Sequence, residues 1–129
     1  MSVIRSARGD EAPVLAAIGM RAWESAVDGW LNIGLLRYNA ERAFADFTRR
    51  AHLTIDVADH SGTPVAWAAR ENLDNKITDL WVDPAWQRQG HGARLLSKLE
   101  EEIGAQGHNT VTIETHSQNV RAIEFLKSQ

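Results

Sequence analysis

The stretch from Ile77 to Ile103 constrains this chain more than any other. A β-prone run, Ile77 to Val82, is stopped by Pro84, which cannot donate to a ladder. The polar run Gln87-Arg88-Gln89-Gly90-His91-Gly92 follows, and then Leu95, Leu96, Leu99 and Ile103 recur at helical spacing. A strand, a glycine-containing loop and a helix in succession bring unpaired backbone N–H groups and the positive end of a helix dipole to one place. That arrangement suits an anion, and residues 84–98 contain Arg88, Arg94 and Lys98 with no acid. The whole chain has 14 Lys and Arg against 17 Asp and Glu, a net charge of −3. No global positive field therefore draws it to nucleic acid or to an anionic membrane, and neither is expected as a partner. Any anion site is local.

The flanking sequence reads as further short elements. Val3 to Arg5 is β-prone, and Asp10 is a candidate cap for a helix over about 11–25, with Pro13 in its first turn and Leu15, Ile18 and Ala22 on one face. Asp28 to Tyr38 is apolar but irregular, read as a loop or broken helix, and Asn39 then caps a second helix to about Arg50. Leu53, Ile55 and Val57 alternate with polar or small residues, His60 to Thr63 turns, and Pro64 to Leu73 returns as the second strand of a hairpin. Asp74-Asn75 turns again into Ile77 to Val82, completing an antiparallel meander. Gly104 and Gly107 stop the third helix, Val111 and Ile113 mark a last strand at about 110–116, and Asn119 opens a final helix. The order βααβββαβα predicts a mixed α/β domain: one mostly antiparallel sheet of about five strands with helices on both faces. A single domain spanning residues 1–129 is expected.

Several chemistries are disfavoured by spacing. A dinucleotide fingerprint would need glycine where Leu95 stands, and a P-loop would need Lys-Ser or Lys-Thr where Ala93-Arg94 stands. There is no cysteine, hence no disulfide, thiolate ligand or cysteine nucleophile. His52, His60, His91, His108 and His116 form no helical ligand pair, so no metal is expected. No signal-like or membrane-length apolar run occurs, which makes a cytoplasmic protein the default expectation.

Two segments carry a family resemblance. Leu80-Trp81-Val82-Asp83-Pro84-Ala85-Trp86-Gln87-Arg88-Gln89-Gly90-His91-Gly92-Ala93-Arg94-Leu95-Leu96 resembles motif A of the GNAT superfamily of acetyl-CoA-dependent N-acetyltransferases. Glu114 to Leu126 resembles the strand-loop-helix of the same family, with Asn119 and Ala122 at its motif positions. The resemblance implies the GNAT fold and acetyl-CoA as co-substrate. Leu80, Trp81 and Val82 would pair with the pantetheine arm, and Arg88, Gln89, Gly90, His91, Gly92 and Ala93 would wrap the pyrophosphate. Asn119 would hydrogen-bond the pantetheine.

The implied reaction moves acetyl from acetyl-CoA to a primary amine of a small molecule or a protein N-terminus by direct attack. Such transfer needs a base, a donor for the developing oxyanion and a proton for the leaving thiolate. A backbone N–H at Trp81 or Val82 would serve the oxyanion. Glu114 falls where the family's ribosomal-protein alanine acetyltransferases carry a catalytic glutamate; Asp79, which alternation places on one face with Ile77 and Trp81, or Glu71 acting through water, competes for the role of base. The family's tyrosine acid falls on Leu126, and Tyr38 is the one tyrosine in the chain. Trp23, Trp30 and Tyr38 either line the acceptor pocket or pack in the core. Family domains continue beyond the final helix, so this chain, ending at Gln129, is expected to lack their last strands and to cover its sheet edge as a homodimer. The alternative is an acyl-CoA-binding or interaction protein of the same fold with little or no transfer.

Overall fold

Alternating residues after Ala51 build the centre of the structure, a computed structural model that describes residues 2–26, 33–70 and 73–113. The strands are β1 (Val3–Ser6), β2 (Ile55–His60), β3 (Thr63–Ala69), β4 (Lys76–Ile77), β5 (Asp79–Val82) and β6 (Thr112–Ile113). The helices are α1 (Ala12–Ala26), α2 (Ile33–Arg50) and α3 (His91–Ala105). Antiparallel pairing joins four strands in the order β1-β2-β3-β5, and β4 pairs in parallel with β6. The parallel pair needs a crossover, which α3 supplies. The meander and the placing of helices on both faces are as the sequence predicts. The final helix expected from Asn119 lies outside the described residues, as do Trp30, Glu71, Glu114 and Leu126.

β3 is the middle of both cores. Its run Val65-Ala66-Trp67-Ala68-Ala69 is wholly buried, as a strand covered on both faces must be. Trp67 faces α1 and α2 together with Leu15, Ile18, Trp23, Phe44, Ile55, Val57 and Trp81. Ala66 and Ala68 face α3, where they pack with Ile77, Leu80, Leu95, Leu96, Leu99 and Ile103. The Trp67 indole donates to the Leu15 carbonyl at 2.8 Å, and its ring meets Phe44 edge-on and Phe47 in a stack. The α1–α2 crossing is close at Gly19, where an added Cβ would come within 2.6 Å of the Phe44 ring.

Four boundaries differ from expectation. α2 starts at Ile33, so the stretch read as a loop to Tyr38 is helical from that residue and Asn39 is interior rather than a cap. Leu36, Ala40, Phe44 and Phe47 share one helical face and pack against the core, and that burial outweighs the cost of about 1 kcal/mol for Gly34 in a helix. Before α1, Gly9–Glu11 form a single tight helical turn in which the Glu11 carboxylate, rather than Asp10, accepts from the Arg8 N–H at 2.9 Å. β2 starts at Ile55, leaving Leu53 exposed in the turn His52–Thr54.

β3 ends at Ala69 instead of Leu73: the Arg70 N–H makes a last bond across to the Thr54 carbonyl at 3.3 Å, and the chain then turns, the Leu73 N–H donating to the Arg70 carbonyl at 2.9 Å. The buried Arg70 guanidinium donates to the Asp74 carbonyl at 2.6 Å and to Gln106 Oε1 at 2.8 Å. Asp56 lies beside this cluster, and burial, followed by the charge of Glu102, pushes its carboxyl up to about 6. The folded state thus holds this proton more tightly than the unfolded chain, a contribution present in acid and lost as pH rises through about 6.

Candidate functional site

The site begins with a register offset. The Thr78 N–H donates to the Ala69 carbonyl at 2.9 Å, although Ala69 stands opposite Asp79. Two residues therefore oppose one, which is a β-bulge with Thr78 as the extra residue. The offset sends Ile77 and Leu80, three positions apart, to the α3 side, and Trp81 to the α1–α2 side. Simple alternation fails here: Asp79 does not share a face with Ile77. It shares one with Trp81, whose indole Nε1 donates to Asp79 Oδ1 at 3.1 Å.

The backbone of β5 has two unlike edges. Asp83 N–H donates to the Val65 carbonyl at 2.9 Å, and in an antiparallel ladder donors and acceptors alternate. Trp81, opposite Trp67, therefore turns its N–H to β3, whereas the backbone groups of Leu80 and Val82 turn to the opposite edge. Of the two candidate oxyanion donors, Val82 is the one whose N–H faces that outer edge. On the same outer edge, β6 pairs with Lys76–Ile77, and no described strand pairs along Asp79–Val82. The outward Val82 carbonyl is approached at 3.5 Å by Gln87 Nε2.

A tight turn carries the chain from this edge to α3. Asp83 Oδ1 accepts from the Ala85 N–H at 3.2 Å, fixing the turn Pro84–Trp86. Arg88 (φ 65°) and Gly90 (φ 87°) are both left-handed, and the exposed loop proper is shorter than the sequence suggested, because His91 and Gly92 already belong to α3. Gly90 caps the helix without any side-chain bond, and no acid lies in the first turn. The first intrahelical bond is Arg94 N–H to Gly90 O at 3.1 Å. The N–H groups of His91, Gly92 and Ala93 thus have no intrahelical acceptor and carry the positive end of the dipole. Arg94 and Lys98 line an open groove of about 340 Å³ with Ile4, Ser97 and Glu101, on the β1 side of α3.

His91 seals the inner side of the loop. It is 4% exposed, with ring centroids 6.0 Å from His60 and 5.9 Å from Trp86, and neither ring nitrogen has a hydrogen-bond partner. Burial first, then the charges of His60, the amino terminus and Arg94, hold its pKa below the ordinary 6.5. The unfolded chain therefore takes up a proton that the folded state refuses, and this contribution to stability is lost as pH falls below 6.5. As pH falls below 6.5, His91→Phe should gain in thermal midpoint relative to wild type, whereas the Asp56 contribution, of opposite sign, is common to both proteins; a difference between the two proteins that does not change with pH would assign the effect elsewhere.

The other sequence candidates separate. Trp23 is a core residue, 7% exposed, and Tyr38 lies on the exposed face of α2, its hydroxyl accepting from Arg42 Nη1 at 2.9 Å. Glu114 and Asn119 lie outside the described residues. Among the described residues there is no group of three or more side chains suited to a metal, and no helix long and apolar enough to cross a membrane. Sequence reasoning missed Arg21, which reaches from α1 to Asp83 at 2.7 Å. The Asp-Pro step signals the turn cap, but nothing local points to the arginine.

Residues 20–129 match the model of the Acetyltransferase (GNAT) family. The [Ribosomal protein bS18]-alanine N-acetyltransferase of Escherichia coli K12 is 30% identical over 91 residues, which cover 69% of this chain and 61% of that protein. The chain thus spans under two-thirds of the length of that relative. The crystal structure of the ribosomal-protein-S18-alanine N-acetyltransferase from Escherichia coli superposes with a TM-score of 0.68 at 26% identity, covering 99% of this chain and 76% of the other. A PaiA N-acetyltransferase from Thermoplasma acidophilum, crystallised with coenzyme A, has the same fold, with a TM-score of 0.84 at 13% identity over 99% of this chain and 87% of its own.

Proposed function

Because the chain belongs to the acetyltransferase (GNAT) family, we propose that it transfers an acetyl group from acetyl-CoA to a primary amine, of a small molecule or a protein N-terminus, by direct attack. The observation that carries this reading is the outer edge of β5 followed, through the turn Pro84–Trp86, by the start of α3, whose cap Gly90 makes no side-chain bond. The amide groups of a pantetheine arm add to the outward backbone at Val82 as an extra strand would. The pyrophosphate then meets the loop from Arg88 to Gly90 and the first N–H groups of His91, Gly92 and Ala93. Glycine at position 90 supplies the left-handed corner that turns these donors outward.

At the thioester, the Val82 N–H is placed to stabilise the oxyanion. Asp79, held by the Trp81 indole on the α1–α2 side, is one candidate base; Glu114 is the other, and Asn119 is assigned to the pantetheine. The amine attacks the carbonyl carbon, its proton passes to the base, and the thiolate of CoA leaves. Water supplies the thiolate proton, since Leu126 replaces the family's tyrosine. That replacement also favours the second reading, a protein that binds acyl-CoA without efficient transfer.

Two measurements decide. Acetyl-CoA at 100 times its dissociation constant should stabilise the fold by about 2.7 kcal/mol, and the absence of any thermal shift at millimolar ligand would sink both readings. Thiol release across an amine panel then separates them. A peptide with N-terminal alanine is the first acceptor to try, given the name of the Escherichia coli relative. A thermal shift with no thiol release on any acceptor would favour the binder.

A further inference from the structure

The corner between β5 and the loop is held from three directions by one residue. The Asp83 N–H donates to β3 at the Val65 carbonyl, its Oδ1 accepts from Ala85 N–H, and its Oδ2 accepts from Arg21 Nη2 at 2.7 Å and Nε at 3.2 Å. The Asp83 side chain is 12% exposed and that of Arg21 52%. The first two bonds are local to the sheet and the turn. The third comes from α1, which also carries Trp23 and packs on β5 from the opposite side of the sheet to α3.

We propose that Arg21 is a positioning residue for the cofactor loop, acting through Asp83. Two guanidinium N–H groups on one carboxylate oxygen fix where the Asp83 carboxylate lies, and its other oxygen thereby fixes the first N–H of the turn Pro84–Trp86. That turn sets the direction in which Gln87 to Gly90 leave the sheet. Arg21 thus aligns the outward groups of Val82 with the donors at the start of α3, so that one ligand reaches both. An ion pair with a half-exposed partner adds little to global stability. Its loss is felt as a misdirected loop rather than as unfolding.

This inference rests on the acetyl-CoA reading above, and a double-mutant cycle on coenzyme A affinity tests it. Calorimetric Kd values for coenzyme A are compared in wild type, Arg21→Met, Asp83→Asn and the double variant; Asp83→Asn keeps an oxygen for Ala85 while removing the charge that Arg21 grips. Each single variant should weaken binding about fivefold and the double variant no further, because both remove the same contact. Arg21→Lys, a point charge without the fork, should recover part of the loss. The ligand-free Tm of Arg21→Met should stay within about 2 °C of wild type, and KM for acetyl-CoA should rise by a larger factor than kcat falls. Wild-type affinity in Arg21→Met, or losses that multiply in the double variant, would overturn the inference alone. A wild-type protein that does not bind coenzyme A would overturn it together with the function.

Discussion

Replacing Trp67 with alanine should cost about 3–5 kcal/mol, a large share of the roughly 5–15 kcal/mol that holds a domain together. The side chain is fully buried where α1 and α2 cross β3, between the edge of Phe44 and the face of Phe47. Removing it opens a cavity between three elements that cannot close around it independently. It also strips the Leu15 carbonyl of its donor, a buried acceptor whose loss adds about 1–3 kcal/mol where no water replaces it. Trp67→Phe keeps most of the ring contacts and loses only the donor, so it should fall between wild type and alanine. Urea unfolding monitored by circular dichroism reads both, and a loss below about 1 kcal/mol for the alanine variant would show that the pocket collapses.

Gly90→Val should leave the fold almost as stable as wild type and weaken coenzyme A binding by about tenfold or more. Gly90 has φ 87°, and an ideal Cβ there meets nothing within 4 Å, so the penalty is one of backbone conformation alone. For a β-branched residue in the left-handed region it is on the order of 1–2 kcal/mol. Without ligand the exposed loop sheds that strain by moving, which costs little. With ligand it must return to the corner that turns the N–H groups of α3 outward, and the penalty appears in the affinity. Gly90→Asn, which tolerates this region better, should fall between the two. Equal dissociation constants for Val and Gly would mean that the loop corner does not shape the site.

What could be read in the sequence follows from where the information is local. Pro84 and Gly90 punctuate the chain, so the strand-loop-helix was legible along with the face of α3 carrying Leu95, Leu96, Leu99 and Ile103. The start of α2 was not, because Gly34 and the scattered apolar residues around it hide a spacing, Leu36-Ala40-Phe44-Phe47, that becomes clear only once the core exists. The bulge at Thr78 was equally hidden. A run from Ile77 to Val82 looks like one strand, and the sole hint is that Ile77 and Leu80, both apolar, stand an odd number of positions apart. Arg21–Asp83 and Arg70–Gln106 join residues 62 and 36 positions apart, beyond the reach of any local rule.

The extra residue at Thr78 also bears on how such a chain can change over generations. Deleting a surface residue elsewhere shortens a loop. Deleting one between Ile77 and Leu80 would leave those two residues two positions apart, so strict alternation would keep both on the α3 side and Trp81 on the other; what goes is the extra N–H on the Ala69 carbonyl and the bend that a bulge puts in the strand. A chain without the extra residue would keep its core and lose the bend, so length at this point shapes the edge of β5 rather than the packing beneath it.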